Sequence, residues 1–436
     1  MALGGGTFVT QNKILPGSYV KFVSTSRTDN VFSDRGVAAI ALDLNWGAEH
    51  ELMAITAEEF EKNCPKYFGV AYTSDEVKGM RDLFKHATKV YVYRLNEGGA
   101  KAANDYATAK YAGTTGNTIT IKLEANPDME NGFIVNTLLG TSVVDKQYVT
   151  KAEELVANDF VDFKNFTANL DGGTIVSALT GGTTGEAGDA ADHTAFLAAI
   201  EPKYLNAVIA YTDASAIANL YVAFAHRMRE SVGSQLQVVV YHNEADFEGV
   251  VNVHNTTKDG KPYDALFWAG GVIAGCEVNK SNTNKKYDGE FTIDVALTQT
   301  ELEAGLKAGK FMFHQVGDDV RVLEDINSLV SVTAEKTEDF KYNQTIRVLD
   351  QIVTDTATIF NTKYLGVIPN NNAGRISLWN DIVSHHKTLQ DIAAIENFVA
   401  ADVIVEQGEN RRSVKVTDAI TPVNAMSQLY MEIIVR

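Results

Sequence analysis

Residues 205–242, LNAVIAYTDASAIANLYVAFAHRMRESVGSQLQVVVYH, decide the fold class. The stretch opens on a short apolar run that reads as a buried strand. It continues through Asp213 to Ser231 with apolar residues at helical spacing, and it closes on a second apolar strand at 236–242. Strand, helix and strand in that order make the crossover that parallel pairing requires. The pattern repeats upstream. GVAAIALDLNWG (36–47) reads as strand and turn, TAEEFEKNC (56–64) and SDEVKGMRDLFKHA (74–87) as helices, and KVYVYRL (89–95) as a strand. Thr56 followed by Glu59 is a capping-box signature for the first helix.

Between these α/β portions the texture changes. From about Gly98 to Gly188 the chain is rich in Gly, Thr and Asn, with short alternating runs at 117–125, 132–140 and 141–150, so a β-rich unit is expected there. LTGGTTGEAGDAAD (179–192) closes it with the composition of a flexible linker. After the second α/β portion, 339–366 and 373–400 read as helical, 402–418 as a hairpin and 426–436 as a terminal strand. The expected architecture is α+β and multidomain: an α/β core with crossover strands and helices, an inserted β-rich domain, and extended N- and C-terminal β-strand arms. The expected boundaries are an N-terminal arm at 1–30, core at 31–97, insertion at 98–190, core again at 191–365, and a C-terminal domain at 366–436. No fixed-period repeat or heptad pattern is visible.

Composition narrows the partners. Thirty-eight basic against 56 acidic residues leave a net charge of −18, which argues against a nucleic-acid backbone or an anionic membrane surface as the target. Two cysteines, Cys64 and Cys276, are too few for a disulfide framework or a zinc site and read as buried thiols. No secretory leader or membrane-length apolar run is apparent, so synthesis and folding in a cytoplasm are expected, without membrane insertion.

The motifs with a catalytic look favour plainer readings. GGTTGEAG (181–188) lacks the Lys-Ser/Thr of a phosphate loop, and GTTGN (113–117) precedes a strand rather than a helix. Gly317-Asp318-Asp319 lies between two strand-like runs and reads as a hairpin turn. Asp213 and Glu244 follow core strands, where α/β enzymes keep catalytic groups, but the helix that begins beside Asp213 favours a cap. His385 and His386 are adjacent on a helix and point about 100° apart, so surface or interface positions are expected for them and no shared metal. No catalytic, cofactor or metal residue is assigned.

The two ends are more informative. Pro16-Gly17 marks a turn before the strand-like Tyr19, Val20, Lys21, Phe22 and Val23. At the other end Leu429, Met431, Ile433 and Val435 alternate with Tyr430, Glu432 and Ile434, as on a half-buried strand. GGGTFVTQNKILPGSYVKFVS (4–24), YAGTTGNTITIKL (111–123), VRVLEDINSLVS (320–331), KYNQTIRVLDQI (341–352), YLGVIPNNNAGRISLWNDI (364–382) and ITPVNAMSQLYMEIIVR (420–436) occur in that order. The chain thereby resembles the contractile phage tail sheath proteins, of the type found in phages and phage-tail-like particles of Gram-positive bacteria.

The resemblance implies a non-enzymatic subunit without cofactors, stacking as hexameric rings into a helical sheath around an inner tail tube. Baseplate and tail terminator proteins would be its other partners, and a virion tail or phage-tail-like particle, assembled in the host cytoplasm, its location. It implies that residues 19–23 and 429–435 are strands given to neighbouring subunits. It also implies that the insertion faces outward and that the helix within 375–400 faces the tube, with Arg375, His385, His386 and Lys387 as tube-facing candidates. Terminal strands alone would equally permit another tube or a surface-array subunit, and the crossover core would permit a nucleotide-dependent cytoplasmic enzyme.

Overall fold

A computed structural model describes residues 34–129, 132–167 and 173–435. The N-terminal strand expected at Tyr19 to Val23 lies outside the described residues. The core begins with β1 (Val37–Leu42), β2 (Leu52–Thr56), α1 (Ala57–Phe68), α2 (Lys78–Phe84) and β3 (Lys89–Arg94). Helix α1 starts where the sequence places it. Thr56 Oγ1 accepts from the Glu59 amide at 3.2 Å, and the Glu59 carboxylate accepts from the Thr56 amide at 2.9 Å. Thr56→Ala should therefore cost about 1 kcal/mol in denaturant unfolding.

The chain then leaves the core for the insertion: β4 (Ala107–Ala109), β5 (Ile119–Ala125), β6 (Phe133–Leu139), β7 (Ser142–Val149), β8 (Val161–Phe163) and β9 (Ile175–Ala178). Strands β7-β6-β5-β9 form an antiparallel sheet and β4 pairs with β8. One face of β5, carrying Ile119, Ile121 and Leu123, is wholly buried, as the period-two pattern dictates.

The core resumes with α3 (Ala190–Ile200), β10 (Ala207–Ile209), α4 (Ser215–His226, continuing as a π turn to Val232), β11 (Gln237–Tyr241), β12 (Val250–Val253), α5 (Ala265–Gly275), α6 (Gln299–Lys307) and β13 (Lys310–Phe311). The seven-stranded sheet runs β13-β12-β11-β10-β1-β3-β2, parallel except for β2. Its central strands are near-continuous apolar runs because helices cover both faces. Helices α1, α2 and α5 pack one face around Ile40, Ile55, Leu83 and Trp268. Helices α3 and α4 pack the other around Phe196, Tyr221 and Val238. Helix α5 is buried all round. A β-carbon on Gly270 would stand 2.3 Å from Ile209 Cγ1 and one on Gly275 1.9 Å from the His86 carbonyl oxygen, so only glycine lets this helix lie between the sheet and α2.

After the hairpin β14 (Phe313–Val316) and β15 (Asp319–Val322), turned by Gly317 as expected, come α7 (Asn343–Ile359), α8 (Asn372–Asp391), β16 (Ile395–Glu396), β17 (Val403–Gln407), β18 (Val414–Asp418) and β19 (Thr421–Pro422). Helix α7 belongs to two units. Its Val348 and Ile352 share a separate core with Leu378, Ile382 and Leu389 of α8 and Val403 of β17. Its polar side is strapped to the α/β core. Arg347 Nη2 donates to Asp325 at 2.6 Å, and Asp350 receives both terminal nitrogens of Arg229 at 2.7 and 2.8 Å.

The segment expected to be a flexible linker is instead fastened down. Thr184 O accepts from Asn96 Nδ2 at 2.8 Å and from Arg94 Nη2 at 3.3 Å, and Thr184 Oγ1 donates to Asn45 at 3.0 Å. Gly185 has φ +85°, and a β-carbon there would approach the Glu97 carbonyl oxygen to 2.1 Å. Gly182 and Gly185 thus serve close backbone packing rather than freedom. Trp46, fully buried, reaches from the core into the insertion's apolar interior and lies edge-on to Tyr111 at 5.2 Å.

Candidate interaction site

Helix α4 has no side-chain cap: its N-cap residue is Ala214, whose amide donates to Thr212 Oγ1 at 3.0 Å, and Asp213 is exposed, so the cap expected there is not formed. Asp319 pairs with Arg321 and Lys286. Cys64 and Cys276 are buried and free, and burial pushes the Cys64 thiol up to about 12, which removes it as a nucleophile at neutral pH. His50, Glu97 and Asp192 bring three ligand atoms within 4.8 Å of one another. His50 Nε2 lies 2.8 Å from the Leu95 carbonyl oxygen and 3.3 Å from Asp192, so that nitrogen carries hydrogen and donates rather than ligating, while Nδ1 faces Glu97 at 3.4 Å. Among the described residues no helix is long and apolar enough to cross a membrane.

What remains is the C-terminal module, and here the structure revises the expected roles. His385 and His386 are not on the surface: they are 1% and 0% exposed. Helix α8 is covered on two sides, by α7 and by β17 and β18, so two adjacent side chains 100° apart both point inward. His385 Nε2 meets Asp355 at 2.9 Å and His386 Nε2 meets Asp418 at 2.7 Å, while the two Nδ1 atoms lie 3.2 Å apart. One Nδ1 must carry a proton and the other must not, so a continuous hydrogen-bonded chain runs from α7 through α8 to β18. Neither histidine can face a partner in this conformation. Arg375 is half-buried, with Nη1 3.1 Å from Asn370 Oδ1, and Lys387 is exposed.

Three surface features of the module lack a partner among the described residues. First, Leu429 to Val435 forms no strand with any of them. Leu429 is 86% exposed and Val435 91%, and past the Ala425 amide no backbone hydrogen bond is made among the described residues. Second, among the described residues β17 and β18 pair only with each other, which leaves both outer edges of this five-residue hairpin without a strand partner there and Ile404 and Val416 exposed. Third, the turn between α7 and α8 exposes Leu365, Val367 and Ile368 beside a cleft of about 540 Å³ that Arg375, Arg411 and Arg412 also line. Open strand edges and a loose apolar strand in one molecule are complementary hazards that native chains ordinarily cover. The alternation at 429–435 could be read in the sequence; the open edges and the buried histidines could not, because both depend on contacts distant in the chain.

Comparison with known proteins bears on these surfaces. Models of the phage tail sheath protein central domain, the phage tail sheath C-terminal domain and the phage tail sheath protein beta-sandwich domain match residues 186–328, 335–436 and 97–184. A model of the tail sheath protein Gp18 domain III N-terminal region matches 35–95. The chain is 32% identical over 468 residues to the phage-like element PBSX protein XkdK of Bacillus subtilis (strain 168), covering 99% of each. It superposes on the sheath tail protein of Desulfitobacterium hafniense with a TM-score of 0.80 at 32% identity, over 94% of this chain and 98% of that one. The helical sheath of the anti-feeding prophage in its contracted state shares the fold at 11% identity, with a TM-score of 0.56 over 97% and 99% of the two chains.

Proposed function

This chain belongs to the phage tail sheath protein family, and from that premise we propose that it polymerises by strand exchange into stacked six-fold rings around an inner tail tube and contracts to drive that tube through a bacterial envelope. The observation that carries the reading is the exposed apolar segment Leu429 to Val435, which pairs with no strand among the described residues, on a chain whose β17–β18 hairpin also has two edges unpaired there. The segment enters a neighbour's β17–β18 sheet, and the strand at Tyr19 to Val23 joins the same kind of composite sheet from another subunit. Backbone hydrogen bonds supply affinity and the alternating side chains supply register. The fold shared with a sheath captured in its contracted state supports contraction of this assembly.

In this reading Arg375 and Lys387 face the tube, the insertion faces outward, and baseplate and terminator proteins close the two ends of the particle. The chain divides as arm, split core, insertion and C-terminal domain. It works without a cofactor and without catalysis, within a tail or tail-like particle assembled in the host cytoplasm. Electron microscopy of the purified protein at high concentration tests the proposal. The full chain should form striated hollow tubes, and the chain lacking Gln428 to Arg436 should remain a folded single particle. Tubes from the truncated chain would overturn the exchange.

A further inference from the structure

The two ends of the subunit are rooted in different ways. Where the described chain begins, Arg35 Nε donates to the Cys276 carbonyl at 2.9 Å, just past the end of α5. The Gly36 and Val37 amides both donate to Asn206 Oδ1, at 2.9 and 3.0 Å, and Asn206 returns a bond from its own amide to the Val37 carbonyl at 2.8 Å. The Gly36 carbonyl in turn accepts from the Thr88 amide at 2.8 Å. The next residue opens β1, an interior strand held in parallel register by β3 over six residue pairs and by β10 over three. Extracting this end requires shearing a central strand from both neighbours at once, with every ladder bond loaded together.

The other end leaves over a much slighter root. Strand β19 is two residues long and pairs antiparallel with the two residues of β16. Beyond it the Val423 amide donates to the Ala394 carbonyl at 3.0 Å, Asn424 meets Thr345 Oγ1 at 3.2 Å, and the Ala425 amide donates to Gln344 Oε1 at 2.9 Å. These bonds lie in sequence along the chain at the margin of the module, so tension from the tail loads them one after another. A root that peels yields at far lower force than one that must shear, even where each bond is equally strong.

We propose that the subunit carries one stiff and one compliant tether: an N-terminal root that transmits load directly into the sheet, and a C-terminal root, Thr421 to Ala425, that pays out chain under tension and re-forms when tension falls. Its role in a lattice rests on the strand-exchange reading above. Neighbouring subunits that move apart during a rearrangement would stay connected because the compliant root lengthens while the stiff one keeps the cores coupled.

Single-molecule force spectroscopy on the full chain tests this. One handle is attached at a cysteine replacing Glu303, an exposed residue of α6, and the other at either the N- or the C-terminus. Pulling from the C-terminus should give a reversible low-force step of roughly 17 Å, five residues at about 3.4 Å each, before the core ruptures. Pulling from the N-terminus should hold the Arg35–Val37 anchorage until the core ruptures, and Asn206→Ala should free it earlier in that geometry alone. Equal forces at the two ends, an earlier yield at the N-terminus, or release of the whole C-terminal module as the first C-terminal event would each overturn the proposal. Those outcomes would leave strand exchange standing, since it falls only if the truncated chain assembles.

Discussion

A proline at Ile433 or at Ile434 should abolish polymerisation at one of the two positions while leaving the unfolding midpoint of the free subunit unchanged. Neither residue makes a backbone hydrogen bond or a buried contact among the described residues, so the described fold has nothing to lose there. In a donated strand successive amides point to opposite sides, and only one side faces the acceptor edge. Proline on that side removes a ladder bond and brings a ring against the partner, whereas proline on the other side is an edge substitution that sheets tolerate. Ordering the seven residues 429–435 costs about 7–14 kcal/mol, against roughly 6–12 from burying Leu429, Met431, Ile433 and Val435 and about 0.5–1.5 for each ladder bond. A single donated strand therefore sits near balance. Weakening it by about 3 kcal/mol, roughly a hundredfold per contact, is compounded across every contact of the lattice. Sedimentation with parallel thermal melts reads both quantities. Unaltered assembly by both variants would mean that the tail does not pair.

The largest loss of stability should come from Asp325→Ala, at roughly 3–5 kcal/mol in denaturant unfolding. Asp325 and Arg347 are each about 1% exposed and meet at 2.6 Å, and the carboxylate also accepts from the Asn282 amide at 2.8 Å and Asn343 Nδ2 at 3.0 Å. Removing it strands a buried guanidinium and two donors, on the strap that joins α7 to the core. Burial pushes the Asp325 carboxyl up, but the Arg347 charge and the donated hydrogen bonds outweigh it and hold the group below the ordinary carboxylate range. The sign follows from that depression. The pair's contribution is complete above the unfolded-state value near pH 3.9 and is lost as pH falls below it, so the deficit of the variant should be constant from about pH 5 to 8 and shrink in acid. A deficit under about 1 kcal/mol, or one that grew in acid, would contradict this account.

Much of the core was legible because its signals are local. The valine-rich run of β11 and the helical spacing of α4 declare themselves within a dozen residues, as does the Thr56–Glu59 box. The failures share a cause. His385 and His386 read as surface residues because their partners Asp355 and Asp418 lie 30 and 32 residues away on other elements. The Gly-rich return at 179–192 read as flexible because the groups that grip it, Arg94 and Asn96, lie some 90 residues earlier. The apolar tail showed its alternation but not its exposure, since the lack of a partner among the described residues is a property of the folded surface.

The insertion leaves and rejoins the core through strands that touch, with Glu97 bridged to Glu186. Any trade of what stands beyond that doorway must keep the grip of the core on it, since Arg94 Nη1 donates to the Ala112 carbonyl at 2.7 Å and Lys66 meets Asp159 at 3.0 Å. The Trp46 indole sets the terms of that trade: any replacement must offer it a socket, or leave a large apolar ring in water at the threshold.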